Sequence, residues 1–159
     1  MKRWNRYWIV PCLLLTLTAC GGGSQDGHEK HRLANGDIQE RTASIHVLPS
    51  FLDQKDPQLR QIYQLAASHA DLLQWMPCYC GCGESAGHTS NQNCFIKEVV
   101  PDGSVVWDDH GTRCNVCLET AVYSVKLKQE GNTAQEIRAL IDSKYEKGYA
   151  APTPTPLPA

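Results

Sequence analysis

The sequence predicts a mostly α fold: a small three-helix domain carrying a Cys-rich loop and a short β-hairpin. Three observations lead there. Apolar residues recur at helical spacing in three stretches, each with a recognisable start or stop signal. A dense run of cysteines and glycines separates the first stretch from the rest. One turn signature, Pro101-Asp102-Gly103-Ser104, lies between two β-rich runs.

The first helix begins at Asp56-Pro57, a capping side chain followed by proline at the first helical position. Leu59, Ile62, Tyr63, Ala66, Ala70 and Leu73 form its stripe. Pro77 cannot continue it, so it ends near Met76. The loop Pro77-Cys78-Tyr79-Cys80-Gly81-Cys82-Gly83 follows and runs on to Asn93. Residues 95–100 and 105–107 are rich in Ile, Val, Phe and Trp and make the hairpin. In the second helix Cys114, Cys117, Leu118, Ala121 and Val125 share a face, and Gly131 stops it. Thr133 and Glu136 are spaced as a capping box for the third, whose stripe is Ile137, Leu140, Ile141 and Tyr145.

The two ends of the 159-residue chain are different in kind. Lys2, Arg3 and Arg6 precede an uncharged apolar run from Trp8 to Ala19, shorter than the roughly 20 residues of a transmembrane helix. The run ends in Leu17-Thr18-Ala19-Cys20, which resembles the bacterial lipobox, and Gly21-Gly22-Gly23-Ser24 follows as a tether. The resemblance implies a diacylglyceryl group on Cys20 and cleavage before it. The expected organisation is a signal peptide at 1–19, a lipidated cysteine and flexible linker at 20–49, a domain at 50–150 and a Pro-rich disordered tail at 151–159. The expected location is the extracytoplasmic face of the cell membrane, held by the lipid on Cys20.

Removing the nineteen-residue signal leaves 140 residues and takes away three positive charges, so the net charge moves from −2 to −5. A chain of that charge without a basic patch is not a nucleic-acid binder.

Cys12 and Cys20 set aside, six cysteines remain: Cys78, Cys80, Cys82, Cys94, Cys114 and Cys117. Alternate residues of an extended segment share one face, which gathers the first three. Cys114 and Cys117 stand three apart at a helix start, where side chains meet and the helix N-terminus favours thiolate. His88 and His110 lie beside the two groups and are further candidate ligands. Three readings stand together. Clustered thiolates select soft ions, Cu(I) or Zn, for buffering or for delivery to a membrane-protein partner. The CxxC pair suits thiol–disulfide chemistry, with Cys114 and Cys117 as the redox pair acting on an apoprotein partner. Structural disulfides are the third, with 15 pairings open. Phosphate-binding loops and serine nucleophile elbows are missing from the sequence, so the one enzymatic reading is a thiol–disulfide oxidoreductase.

Pro77-Cys78-Tyr79-Cys80-Gly81-Cys82 resembles the motif of the bacterial PCYCGC lipoproteins. Gly87-His88, Asn93-Cys94, Val106-Trp107-Asp108-Asp109-His110-Gly111, Cys114-x-x-Cys117 and Gly148-Tyr149-Ala150 fit the same family. This implies a lipoprotein and little about activity. More distantly, Glu130-Gly131-Asn132-Thr133-x-x-Glu136-Ile137 after a cysteine-bearing helix looks like CcmH-type thiol proteins of cytochrome c maturation. That resemblance implies a three-helix bundle with Cys114 and Cys117 as the reducing pair. Four additional cysteines depart from it.

Overall fold

A computed structural model describes residues 29–158. The expected signal peptide, Cys20 and Gly21–Ser24 lie outside the described residues.

The described residues form a mixed α/β fold rather than a mostly α three-helix domain. They contain four strands, β1 (Lys30–Arg32), β2 (Ile38–Thr42), β3 (Ile96–Val99) and β4 (Val105–Asp108), and five helices, α1 (Pro57–Ser68), α2 (Ala70–Leu73), α3 (Cys82–Ala86), α4 (Asn115–Gln129) and α5 (Ala134–Lys144). The sheet is antiparallel throughout, in the order β1-β2-β4-β3. The expected hairpin is present as β3 and β4, but it is only half of the sheet. The other half comes from the segment read as linker.

The correction has a local cause. β2 turns Glu40 and Thr42 inward, so its buried face reads as polar. Both side chains are satisfied. Glu40 accepts from the Ser50 N–H at 2.6 Å and the Ser50 hydroxyl at 3.0 Å, and lies 3.3 Å from the Lys30 ammonium. The Thr42 hydroxyl accepts from the Trp107 indole N–H at 2.8 Å. β2 pairs with β4 across some sixty-five positions of chain, Glu40 opposite Trp107 and Thr42 opposite Val105. Burying these groups is tolerable only with those partners in place.

One face of the sheet packs on α1. The Tyr63 ring meets Phe95 edge-on, with centroids 5.1 Å apart, and its hydroxyl donates to the Asp108 carbonyl at 2.9 Å. Asp56 caps α1 through the Gln58 N–H, as expected. The helix breaks at His69 instead of running to Met76, because the imidazole Nδ1 bonds the Leu65 carbonyl at 2.9 Å and the backbone leaves helical geometry there. α4 ends at Gln129, with Gly131 at φ 94° just beyond, and α5 carries the predicted capping box. Ile137, Ile141 and Tyr145 are buried, whereas Leu140 is 41% exposed and is not part of the stripe.

The tail is extended, as proline demands, yet it is docked rather than disordered. Thr153 is buried. Its N–H donates to the Cys78 carbonyl at 3.0 Å and its hydroxyl accepts from the Cys78 N–H at 2.9 Å. The Ala150 N–H donates to the Tyr79 carbonyl at 3.1 Å, and Arg138 donates to the Thr155 and Pro156 carbonyls at 3.3 and 3.1 Å. The cysteine-rich segment thus gains hydrogen-bonded partners in the tail, supplied by Ala150 and Thr153, residues that are not proline. No helix among the described residues is long and apolar enough to cross a membrane.

Candidate metal centre

Three pieces of chain converge on one point. The segment between α2 and α3 brings Cys78 and Cys80, and Cys82 opens α3. The 3-10 turn His110–Arg113 brings His110. The start of α4 brings Cys114 as its N-cap and Cys117 in its first turn. Gly81, at φ 86°, turns the backbone between Cys80 and Cys82 so that both face inward, a conformation that favours glycine. Asn91 ties two of these pieces together: its N–H donates to the Met76 carbonyl at 2.8 Å and its side-chain amide to the Cys117 carbonyl at 3.1 Å.

The sulfurs are close but not bonded. Cys117 Sγ lies 2.8 Å from Cys114, 3.1 Å from Cys78 and 3.5 Å from Cys80, and Cys78 is 3.4 Å from Cys80. All six cysteines are free. A disulfide needs about 2.05 Å, whereas thiolates around one zinc stand roughly 3.8 Å apart, given Zn–S near 2.3 Å and tetrahedral angles. The two sequence-predicted groups therefore share one site. Two four-donor sets have all their ligand atoms within 4.8 Å of one another: Cys78, Cys80, Cys82 and Cys117, and Cys80, His110, Cys114 and Cys117. The donors are soft sulfur with one imidazole, which fits a soft ion.

Cys94 and His88 stand to one side. Cys94 lies 3.8 Å from Cys82 and 3.5 Å from His88 Nδ1, and belongs to neither set of four. His88 stacks edge-on against His110, with ring centroids 4.9 Å apart, and shares a group of three with Cys82 and His110.

Proton placement follows from the packing of the thiols. Hydrogen bonds from Cys114 and Cys117 hold Cys80 down to about 2, and bonds from Cys117 and Cys78 do the same for Cys82, to about 2. Cys114 is lowered to about 5, chiefly by Cys117. Cys117 is the shared donor and is pushed up, first by its bond to Cys114. Burial pushes the Cys94 thiol up. His110 is raised to about 11 by Cys114 and then Cys80, against the opposing effect of burial. Thiolates thus sit beside a cationic imidazole. The N-terminus of α4 adds positive potential, and the Cys117 N–H donates to Cys114 Sγ at 3.3 Å.

Reasoning from sequence missed the group behind His110. Asp37 is buried after β1 and faces His110 Nδ1 at 3.3 Å, leaving Nε2 aimed at Cys80 Sγ, 3.9 Å away. A carboxylate behind the distal nitrogen sets the ring's orientation and basicity. Asp37 is held by the Asn35 amide at 2.7 Å and by the Arg113 guanidinium, which also donates to Asp109 at 2.6 Å. Asp109 in turn accepts from the Ile38 N–H at 2.7 Å. Asp109, and Asp108 through the Gln39 amide at 2.9 Å and the His110 N–H at 2.9 Å, thus join the new half of the sheet to the site. Asn35-Gly36 was the available signal, since that dipeptide marks a hairpin.

A sequence model described as "Protein of unknown function with PCYCGC motif" matches residues 9–158. The chain belongs to the PCYCGC-motif family. That span takes in β1 and β2, the whole sulfur site and the docked tail. No curated protein and no solved structure matches the chain.

Proposed function

We propose that this PCYCGC protein is an extracytoplasmic lipoprotein, anchored through Cys20, that holds a soft metal ion, Cu(I) or Zn, on its clustered cysteines and His110. The observation that carries this is the convergence of two cysteine groups, distant in sequence, onto sulfurs 2.8–3.5 Å apart without a bond between them. Packing that many thiols together is unfavourable unless charge or hydrogen bonds compensate it, and an ion would supply the compensation. The N-terminal tether would leave the domain free to buffer the ion or pass it to a membrane protein.

The test is metal content and free-thiol count on full-length protein extracted in detergent without reductant. Bound zinc or copper with thiols protected from alkylation supports the reading. A metal-free protein with all cysteines oxidised would sink it. Anchoring is tested separately: Cys20→Ser should move the protein from the membrane to the soluble fraction, and unchanged partition refutes the anchor.

One observation favours thiol–disulfide exchange as a second reading. Cys114 caps a helix, touches Cys117 at 2.8 Å and is lowered to about 5. That reading expects Cys117→Ser to trap a mixed disulfide, formed when the Cys114 thiolate attacks a substrate disulfide and expels its other sulfur as thiolate. A failure to trap one under oxidising conditions removes it.

A further inference from the structure

The two donor sets overlap, and the overlap is informative. Cys80 and Cys117 belong to both; Cys78 and Cys82 belong only to the first; His110 and Cys114 belong only to the second. One tetrahedral ion takes four donors and would leave two of these six stranded against it. Two four-coordinate ions have eight positions between them. Four terminal donors plus two sulfurs that each serve twice fill all eight. The positions of the shared sulfurs agree with this. Cys117 Sγ lies within 3.5 Å of Cys78, Cys80 and Cys114, reaching into both sets. Cys80 Sγ lies 3.4 Å from Cys78 on one side and 3.9 Å from His110 Nε2 on the other.

Charge points the same way. A single Zn(II) on four thiolates leaves a net charge of about −2 in a half-buried site. A second Zn(II), with one further thiolate and a neutral imidazole, brings the total to about −1. Both ions are therefore better compensated together than one alone.

We infer that the PCYCGC site is binuclear: two zinc ions bridged by the thiolates of Cys80 and Cys117, with Cys78 and Cys82 terminal on one ion and Cys114 and His110 terminal on the other. The inference rests on the proposed metal-binding function and adds its stoichiometry and ligand roles. Two bridging sulfurs 3.5 Å apart, each near 2.3 Å from both ions, set the ions about 3 Å apart.

The experiment is a titration of reduced, metal-free full-length protein with zinc chloride, read by competition with a chromophoric chelator. X-ray absorption at the zinc edge follows on the loaded wild type. Two equivalents per chain and a zinc–zinc scatterer near 3 Å are expected. Cys114→Ser and Cys82→Ser should each retain about one equivalent, whereas Cys80→Ser should lose tight binding of both. One equivalent in the wild type, or no zinc–zinc scatterer, overturns the bridge and leaves metal binding standing. Binding of copper(I) alone does the same. Binding of neither metal removes the function together with the inference. Two equivalents retained in Cys114→Ser would also overturn the assignment. The absorption measurement needs no variant, so misfolding of a cysteine mutant cannot mask the answer.

Discussion

Gly111 lies in the 3-10 turn that presents His110, and it is fully enclosed. A Cβ added there would meet Phe95 Cε1 at 2.8 Å, the Cys94 carbonyl oxygen at 2.9 Å and Phe95 Cδ1 at 2.9 Å. None of these can yield cheaply. The carbonyl is backbone, and the Phe95 ring is held edge-on against buried Tyr63. Gly111→Ala therefore forces the turn away by roughly half an ångström to regain ordinary van der Waals contact. Overpacking of this kind costs about 1–3 kcal/mol. Unfolding entropy near 2.1 cal/mol/K per residue, over about 130 ordered residues, converts that into a loss of about 4–11 °C in Tm. The assay is thermal unfolding of reduced, chelator-treated protein, so that metal does not contribute. Zinc affinity should also fall, because His110 is the adjacent residue and retreats with the turn. An apo Tm within 1 °C of wild type would refute the argument that Gly111 is required by contact.

Other perturbations test the surroundings of the site. Asp37→Asn removes the carboxylate behind His110 and should weaken zinc binding about 10- to 100-fold, measured by competition; an unchanged affinity would mean that the ring is held by other contacts. Tyr63→Phe leaves the Asp108 carbonyl without its 2.9 Å donor and should cost about 1–1.5 kcal/mol in urea unfolding; no loss would show that the bond is dispensable. Thr153→Val deletes the acceptor for the Cys78 N–H and should lower stability by about 1–3 kcal/mol and speed amide exchange at Cys78; exchange unchanged from wild type would show that the tail does not secure the motif.

The metal-free domain should also be most stable near pH 9. Cys80, Cys82 and Cys114 are lowered from 9 to about 2, 2 and 5, so their stabilisation is complete above 9 and is lost as pH falls through the folded values. Cys117 and Cys94 are raised, so theirs is complete below 9 and is lost above it. His110, raised from 6.5 to about 11, loses its share from 6.5 upward and offsets only one of the three lowered thiols between 6.5 and 9. Tm measured from pH 5 to 11 should therefore rise and then fall; a steady decline from pH 6 would contradict the thiolate placement.

The local elements were legible because their signals are local. Asp56-Pro57, Gly131 and the Thr133/Glu136 capping box each act within a few residues of themselves, and they start or stop helices where expected. The β3–β4 hairpin was readable for the same reason, with its turn between two β-rich runs. β1 and β2 were not readable from hydrophobic pattern. β2 buries Glu40 and Thr42, and partners brought from elsewhere, Ser50, Lys30 and Trp107 among them, satisfy those groups.

The same division holds for the site. The sequence by itself determined the chemistry: six cysteines, two histidines beside them, and soft-donor character in each cysteine group. It also determined that Cys114 and Cys117 would meet, since three positions on a helix start bring side chains together. Only the tertiary structure decided which donors share a site. It set Cys94 apart, made Cys80 and Cys117 common to both donor sets, and put Asp37 behind His110. Those facts depend on the pairing of β2 with β4 and on the packing of α4 against the cysteine loop. Contacts between residues some forty to seventy positions apart are set by how whole elements bury one another, and spacing along the chain does not encode them.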